Sequence, residues 1–411
     1  MIAPPPSAPP GGPVRTAYAR HGDAGAVVEQ CLGAMGDGTP ELLVAFCGGK
    51  HDPEGVLAAL RRRWAGVPPI VGGSAAGVIS REGLGYSGLE LGLIGFYERE
   101  TAPVPVVGRG FAGGEFQAGR ELGSRIGAAE AGDAVAIVLF DSVASYSPPR
   151  LHHASSIVDG IHEGLGGRRV TLVGGGLLTD MNLTGGWVFD GDGAVRHAAV
   201  ALVFPPTVGA ETAILHGCRP VSAFMEITRI EGAEVFELDG QPALRVIERM
   251  LGLPLGSARG QELSLAATLG QKQGDIFAPY DENAYVNRLI LRADPESGSV
   301  TLFEPDFQRG ARVQVMSRDN TLMLDSARRG VAALDAATSG RDRLLCLYIN
   351  CAGRASGRSG APVEEAELVV GGLDPTTPFL GFYSGVEIAP FGTYSRPLDW
   401  TGVLTVLTRR A

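Results

Sequence analysis

Two short stretches bring a cysteine, small residues and a cation within four positions: Cys47-Gly-Gly-Lys50 and Cys351-Ala-Gly-Arg354. A thiol beside a cationic group, in a turn whose backbone N–H groups are laid bare by small residues, is favoured as the thiolate. That profile suits a nucleophile or a ligand contact, and the plainer reading is a small buried residue at a strand end. Arg354 and Lys50, each three residues after its cysteine, suit a carboxylate or another anion, or are solvated loop charges. Glu387 stands between Val386 and Ile388, three residues after Ser384. A carboxylate there would receive an amine or pair with Arg219 or Arg354, since burial without a partner is costly. Arg219 before Pro220 and Arg396 before Pro397 are further candidates for an anion clamp.

The first half offers Ser74 in Gly72-Gly-Ser-Ala-Ala76 and Asp180 at the end of a glycine-rich run. Ser74 lies one residue short of a nucleophile elbow, and no catalytic histidine can be assigned to it. It reads as a turn residue or ligand contact, and Asp180 as a polar contact or a turn cap. Neither glycine cluster completes a dinucleotide fingerprint, and no Walker loop is present. The glycines are read as letting backbone approach backbone, or a ligand, at the ends of central strands. The five cysteines, at 31, 47, 218, 346 and 351, form no CxxC pair, so no metal site is expected. Seven histidines include His152, His153, His162 and His216, and none has a spacing that demonstrates haem ligation.

The elements that carry these residues repeat. LLVAFCGGK followed by PIVGGSAAGVIS, AVAIVLFDS followed by TLVGGGLLTD, and LLCLYINCAGR followed by PFLGFYSGVEIAP each spell an apolar run, a helical stretch, a glycine-broken apolar run and a further strand. The fold class expected is α/β, a two-part protein with mixed sheets flanked by helices, built in part from strand-helix-strand-strand units. Matched loops of the repeat would place Cys47 opposite Cys351 and Lys50 opposite Arg354. A helix is expected over 23–35, strands over 41–47, 69–73, 88–97, 134–140, 170–174, 185–190 and 197–204, and helices near 53–64 and 151–164. The second part begins with strands over 213–240, a helix over 242–251, strands over 287–292, 299–303 and 311–316, and a helix over 320–336. Residues 1–13 read as a disordered Pro/Gly-rich tail, and the chain is divided near residue 207.

A net charge of -10 without a basic stripe argues against nucleic acid as a partner. No apolar run reaches the roughly 18 residues of a membrane span, and the opening MIAPPPSAPPGGPV lacks the pattern of a signal peptide, so a cytoplasmic location is expected.

The motifs resemble those of the FIST family, whose FIST-N and FIST-C parts occur in bacterial signal-transduction proteins and in eukaryotic F-box proteins. The first half is similar through VGGSAAG, VGGGLLTD and GWVFDGDGAVRHAAVALVF, and the second through HGCRP, ELDGQPAL, CAGR and GFYSGVEIAP. The resemblance spans residues 15–410 and sets FIST-N at 14–207 and FIST-C at 208–411. It implies a sensory role, binding an amino acid or small carboxylate, with no settled enzymatic activity. It also brings haem-based nitric oxide sensing and an interaction scaffold as alternatives. No kinase, cyclase or chemotaxis domain is joined to this chain, so output is expected through a separate signalling partner. The site expected combines Cys351, Arg354, Glu387, Arg219, Ser384, Ser74, Asp180 and Cys47, between the two halves. The competing reading is an enzyme with Cys351 as nucleophile.

Overall fold

A computed structural model describes residues 11–410 apart from 65, 130–131, 148, 254–262 and 264–265. Residues 1–10 of the expected tail lie outside the described residues, and Val14 already begins a strand.

Three copies of one unit account for most of the chain. Each runs strand, helix, strand, helix, strand, hairpin, strand. The first comprises Val14–Arg20, Ala24–Met35, Leu42–Gly48, Pro53–Arg61, Ile70–Ala75, the hairpin Val78–Ser80 with Leu84–Gly85, and Glu90–Phe96. The second comprises Val104–Arg109, Glu115–Ala129, Ala134–Asp141, Ala154–Leu165, Val170–Leu177, Val188–Asp190 with Ala194–Val195, and Ala198–Val203. The third comprises Val208–Leu215, Asn320–Thr338, Arg343–Cys351, Glu365–Gly371, Phe379–Ser384, Glu387–Phe391 with Tyr394–Leu398, and Gly402–Arg409. Between its first strand and first helix the third unit carries an inserted sheet, whose strands include Met225–Glu231, Ala267–Lys272, Tyr285–Asp294 and Arg312–Ser317.

The repeat is therefore longer than the strand-helix-strand-strand block read from sequence, and its hairpins do not stay at home. The first unit's hairpin pairs through Val78, Ile79 and Ser80 with Phe379–Ser384 of the third. The second unit's Val188–Asp190 pairs with Ile70–Ala75 of the first, and the third unit's Glu387–Phe391 with Val170–Leu177 of the second. Each sheet is thus completed by another unit. The two central parallel strands of each are buried on both faces, which explains their unbroken apolar runs. The three inner faces meet in one core, where Phe46 stacks on Phe382 with ring centroids 4.4 Å apart, among Val71, Leu139, Val173 and Ile349. Helices cover the outer faces.

One glycine recurs for a single steric reason. Parallel pairing joins Ala45 to Gly72, Val138 to Gly174 and Tyr348 to Gly381. A Cβ on any of these glycines would overlap the carbonyl oxygen of its partner. The reading of the glycines as places where backbone approaches backbone holds at these three positions. The same pairing corrects the matched loops. With Gly72 and Gly381 equivalent, Cys47 corresponds to Asn350 and Cys351 to Gly48, so the two cysteines differ by one position and face opposite sides of their sheets.

The second unit contains a close helix pair. Gly119 and Gly123 of Glu115–Ala129 lie against the carbonyls of Ile157 and Ile161, while Gly160 and Gly164 of Ala154–Leu165 lie against those of Phe116 and Arg120. Any side chain at these four positions would strike backbone, so it is glycine that lets the two helices come this close.

Candidate functional site

Three parts of the chain converge on a cavity of ≈ 290 Å³. The second unit contributes the loop at Met181, Asn182 and Leu183. The inserted sheet and its exit contribute Leu289, Leu291, Phe303 and Arg318. The third unit contributes Cys351, Ser384, Asp399 and Trp400.

The loop from the second unit is shaped by Asp180. Its carboxylate accepts the Asn182 N–H at 2.7 Å, the Thr184 N–H at 3.3 Å and the Thr184 hydroxyl, a local turn of the kind aspartate favours. Asp180 does not line the cavity; it forms the loop that does. Leu183 in that loop has a φ of 60°, and Trp400 across the cavity has a φ of 54°. Four non-glycine residues among those described adopt positive φ, and two of them line this one cavity. Such backbone costs about 1–3 kcal/mol per residue and persists only where the surroundings enforce it.

Arg354 is part of what enforces it. Its guanidinium is fully buried, donates from Nε to Glu365 Oε2 at 3.0 Å, and pairs Nη2 with Glu365 Oε1. From Nη1 it donates to the carbonyls of Trp400 at 2.9 Å and His216 at 3.1 Å. The expected anion clamp is thus already occupied: Glu365 neutralises Arg354, which works as a strut under Trp400 and does not face the cavity. The Trp400 ring carries the Arg318 guanidinium 3.2 Å from its centroid, and a Cβ on Gly353 would crowd it at 3.0 Å.

Cys351 does line the cavity, but not as a thiolate. Burial drives its pKa well up, the neighbouring Glu387 carboxylate adds to this, and hydrogen bonds from the Gly353 and Trp400 backbone with the charge of Arg354 offset only part. Arg354 does pull toward the thiolate as expected, but burial and the Glu387 carboxylate outweigh that pull. Ser384, also in the wall, donates to Glu387 Oε1 at 2.6 Å, and Thr401 N–H reaches Oε2 at 3.3 Å. Glu387 sits wholly buried behind Ser384, its pKa raised by burial despite those bonds.

Asp399 is the acid that reaches the cavity. Its Oδ2 accepts the Leu289 N–H at 3.0 Å, and its Oδ1 stands 3.6 Å from Arg288 Nη1. Arg288 is itself committed to Asp306, with Nε to Oδ1 at 2.7 Å and Nη2 to Oδ2 at 2.6 Å. Burial therefore wins over the attraction of Arg288, and Asp399 is pushed up to about 7.

The remaining expected residues lie elsewhere. Ser74 is buried and bonded to Trp187, its hydroxyl accepting the Trp187 N–H at 3.2 Å. Cys47 is buried against helices of the first unit, its thiol pushed up to about 12 by burial and by the charge of Asp52. Arg219 stacks on Tyr280 in a separate open groove, and Arg396 is held by Asp306 at 2.6 Å. Lys50 is exposed. Both ring nitrogens of His216 are engaged, Nδ1 by the Cys218 N–H and Nε2 by the Glu282 carbonyl, which leaves no position for an axial metal bond. Among the described residues no three His, Cys, Asp or Glu side chains group as a metal site.

Asp399, Trp400 and Arg318 were not singled out from sequence. The repeat held a usable signal for two of them. Strand pairing makes Trp400 equivalent to His197 and Leu89, and Asp399 to Arg196 and Gly88. His197 shares the positive φ, at 52°, while Arg196 closes its own corner with Nε 3.5 Å from Asp141.

Among known proteins, the FIST N domain family matches residues 41–241 and the FIST C domain family residues 243–390. Uncharacterized protein MT0656 of Mycobacterium tuberculosis (strain CDC 1551 / Oshkosh) is 26% identical over 225 residues, 54% of this chain and 56% of that protein. Uncharacterized protein Mb0898c of Mycobacterium bovis is 27% identical over 223 residues, with the same shares. The chain spans about half the length of the curated relatives it matches. A chorismatase crystal structure aligns over 96% of this chain and 98% of its own at 10% identity and a TM-score of 0.36. A cyanuric acid hydrolase from A. caulinodans aligns over 97% and 99% at 9% identity and a TM-score of 0.31. At those scores neither carries an argument about this chain.

Proposed function

The chain belongs to the FIST family through both its N and C domains, a family of sensory domains in signal transduction, and from that premise we propose that its ligand occupies the cavity beneath Trp400. The observation that carries this reading is the convergence of two strained residues, Leu183 and Trp400, on one cavity built by separate parts of the chain. A volume of ≈ 290 Å³ stands at the small end of ligand pockets, which suits a small metabolite such as an amino acid or small carboxylate. Residues 14–207 act as one half in this reading, supplying Met181, Asn182 and Leu183, and 208–411 as the other. Closure of that loop on the ligand would change the surface offered to a separate signalling partner. A cytoplasmic location is part of this proposal; among the described residues no helix is long and apolar enough to cross a membrane.

Thermal-shift and calorimetric screening against amino acids and small carboxylates tests the proposal. At least one compound should bind the parent protein and not Asn182→Trp, which fills the mouth from an exposed position. Silence of the parent protein across the panel would overturn it and favour an interaction scaffold. The cysteine-enzyme reading is tested separately. A thiol held protonated, 7% exposed, should be alkylated at pH 8 at least tenfold more slowly than free cysteine, and a stoichiometric burst at Cys351 would restore it.

A further inference from the structure

Two buried polar atoms of residues that line the cavity have no hydrogen-bond partner among the described residues: Trp400 Nε1, a donor, and Asp399 Oδ1, an acceptor when Asp399 is ionised, with Arg288 Nη1 3.6 Å away as its ion-pair neighbour. Trp400 is 5% exposed and Asp399 2%. Their other polar atoms are satisfied, the Trp400 carbonyl by Arg354 and Asp399 Oδ2 by the Leu289 N–H. An unmet donor and an unmet acceptor in one small cavity are destabilising unless something supplies the complement. The rest of the lining is largely apolar, with Met181, Leu183, Leu289, Leu291 and Phe303 on the side away from the third unit. Leu291 is 50% exposed, an apolar side chain left open to solvent beside this cavity.

Resting on the reading of this cavity as the ligand site, we propose that the ligand has an apolar body, held by Met181, Leu183, Leu289, Leu291 and Phe303, and a compact head that both accepts from Trp400 Nε1–H and donates to Asp399 Oδ1. The indole is used by its edge, because Arg318 already covers its ring. A head with both functions satisfies both orphaned atoms at once; a simple carboxylate lacks the donor and a simple amine lacks the acceptor. The apolar body separates this class from small polar metabolites, which would leave the five apolar side chains in contact with water or with polar groups.

A matched phenyl series separates the possibilities by calorimetry on the full chain at about pH 8.5, where Asp399 is ionised and accepts: L-phenylalanine and 3-phenyllactate carry both functions, 3-phenylpropionate only the acceptor, phenethylamine only the donor. L-serine carries the head without the apolar body. At least one two-function phenyl compound should bind tenfold or more tightly than 3-phenylpropionate, phenethylamine and serine. Comparison of phenylalanine with phenyllactate identifies an ammonium or a hydroxyl as the donor. Trp400→Phe should weaken the two-function compound about tenfold and leave phenethylamine unchanged. Equal binding of one-function and two-function compounds overturns the inference. So does silence of the phenyl series while another metabolite binds in a manner blocked by Asn182→Trp, a result that leaves the cavity reading standing. Silence of every compound tested overturns both.

Discussion

Asp399 combines a buried position with a titration near neutrality, and its sign can be worked out. Its pKa is pushed from 3.8 unfolded to about 7 folded, so the native state holds a proton that the unfolded chain releases. The stabilisation linked to that proton is fully present below about pH 4 and is lost as pH rises to about 7. In Asp399→Asn this loss is absent. Chemical denaturation across pH 4 to 8 should therefore show the variant gaining on the parent by a few kcal/mol as pH rises, and a constant difference would contradict the assignment. The sequence made Cys351, Ser384 and Glu387 visible because they sit in the repeated block. It could not show that Glu365 neutralises Arg354, since a charge partner eleven residues away, at the start of the helix Glu365–Gly371, depends on how that helix packs. Asp399 escaped for a related reason: its surroundings, the Leu289 N–H and Arg288, come from the inserted sheet, far away in the chain.

At the scale of elements, the glycine-faced helix pair of the second unit offers a direct test of close packing. Gly123→Ala and Gly160→Ala each force a methyl group onto the facing backbone, at Ile161 and Phe116 respectively. Each should cost about 1–3 kcal/mol, read as a lower denaturant midpoint at unchanged slope. Gly33→Ala is the control, because that helical, exposed glycine has nothing within 4 Å of an added Cβ. It should be neutral or stabilising by up to about 1 kcal/mol. The helix Ala24–Met35 was readable from its apolar spacing, whereas Glu115–Ala129 was not. Its buried face is Ala118, Gly119, Leu122, Gly123, Ile126 and Gly127, so half of it is glycine and the periodic apolar signal is diluted. Strands fared better, because a strand buried on both faces is an uninterrupted apolar run whatever packs against it.

Across the whole molecule, the cyclic exchange of hairpins makes the two halves interdependent. A fragment covering 11–207 lacks Glu387–Phe391 and Tyr394–Leu398, which complete the second unit's sheet, and would leave the edge of Val170–Leu177 unpaired. Such a fragment should be aggregated or largely unfolded by circular dichroism and size-exclusion chromatography, while the full chain melts in one transition. A soluble, cooperatively folding fragment would show that the exchange is dispensable. The repeat announced three units, yet the exchange itself was hidden, because nothing in a short two-stranded segment specifies which sheet it will join. The same exchange sets a timetable during synthesis. The first sheet waits for residues near 190, and the second waits for residues near 390. The third waits longest, since a hairpin made near residue 80 must stay unpaired until the strand at 379–384 has been translated. For most of its synthesis the nascent chain therefore carries open strand edges. Its exposure to misassembly is set by the time the ribosome takes to cross three hundred residues, not by the stability of the finished fold.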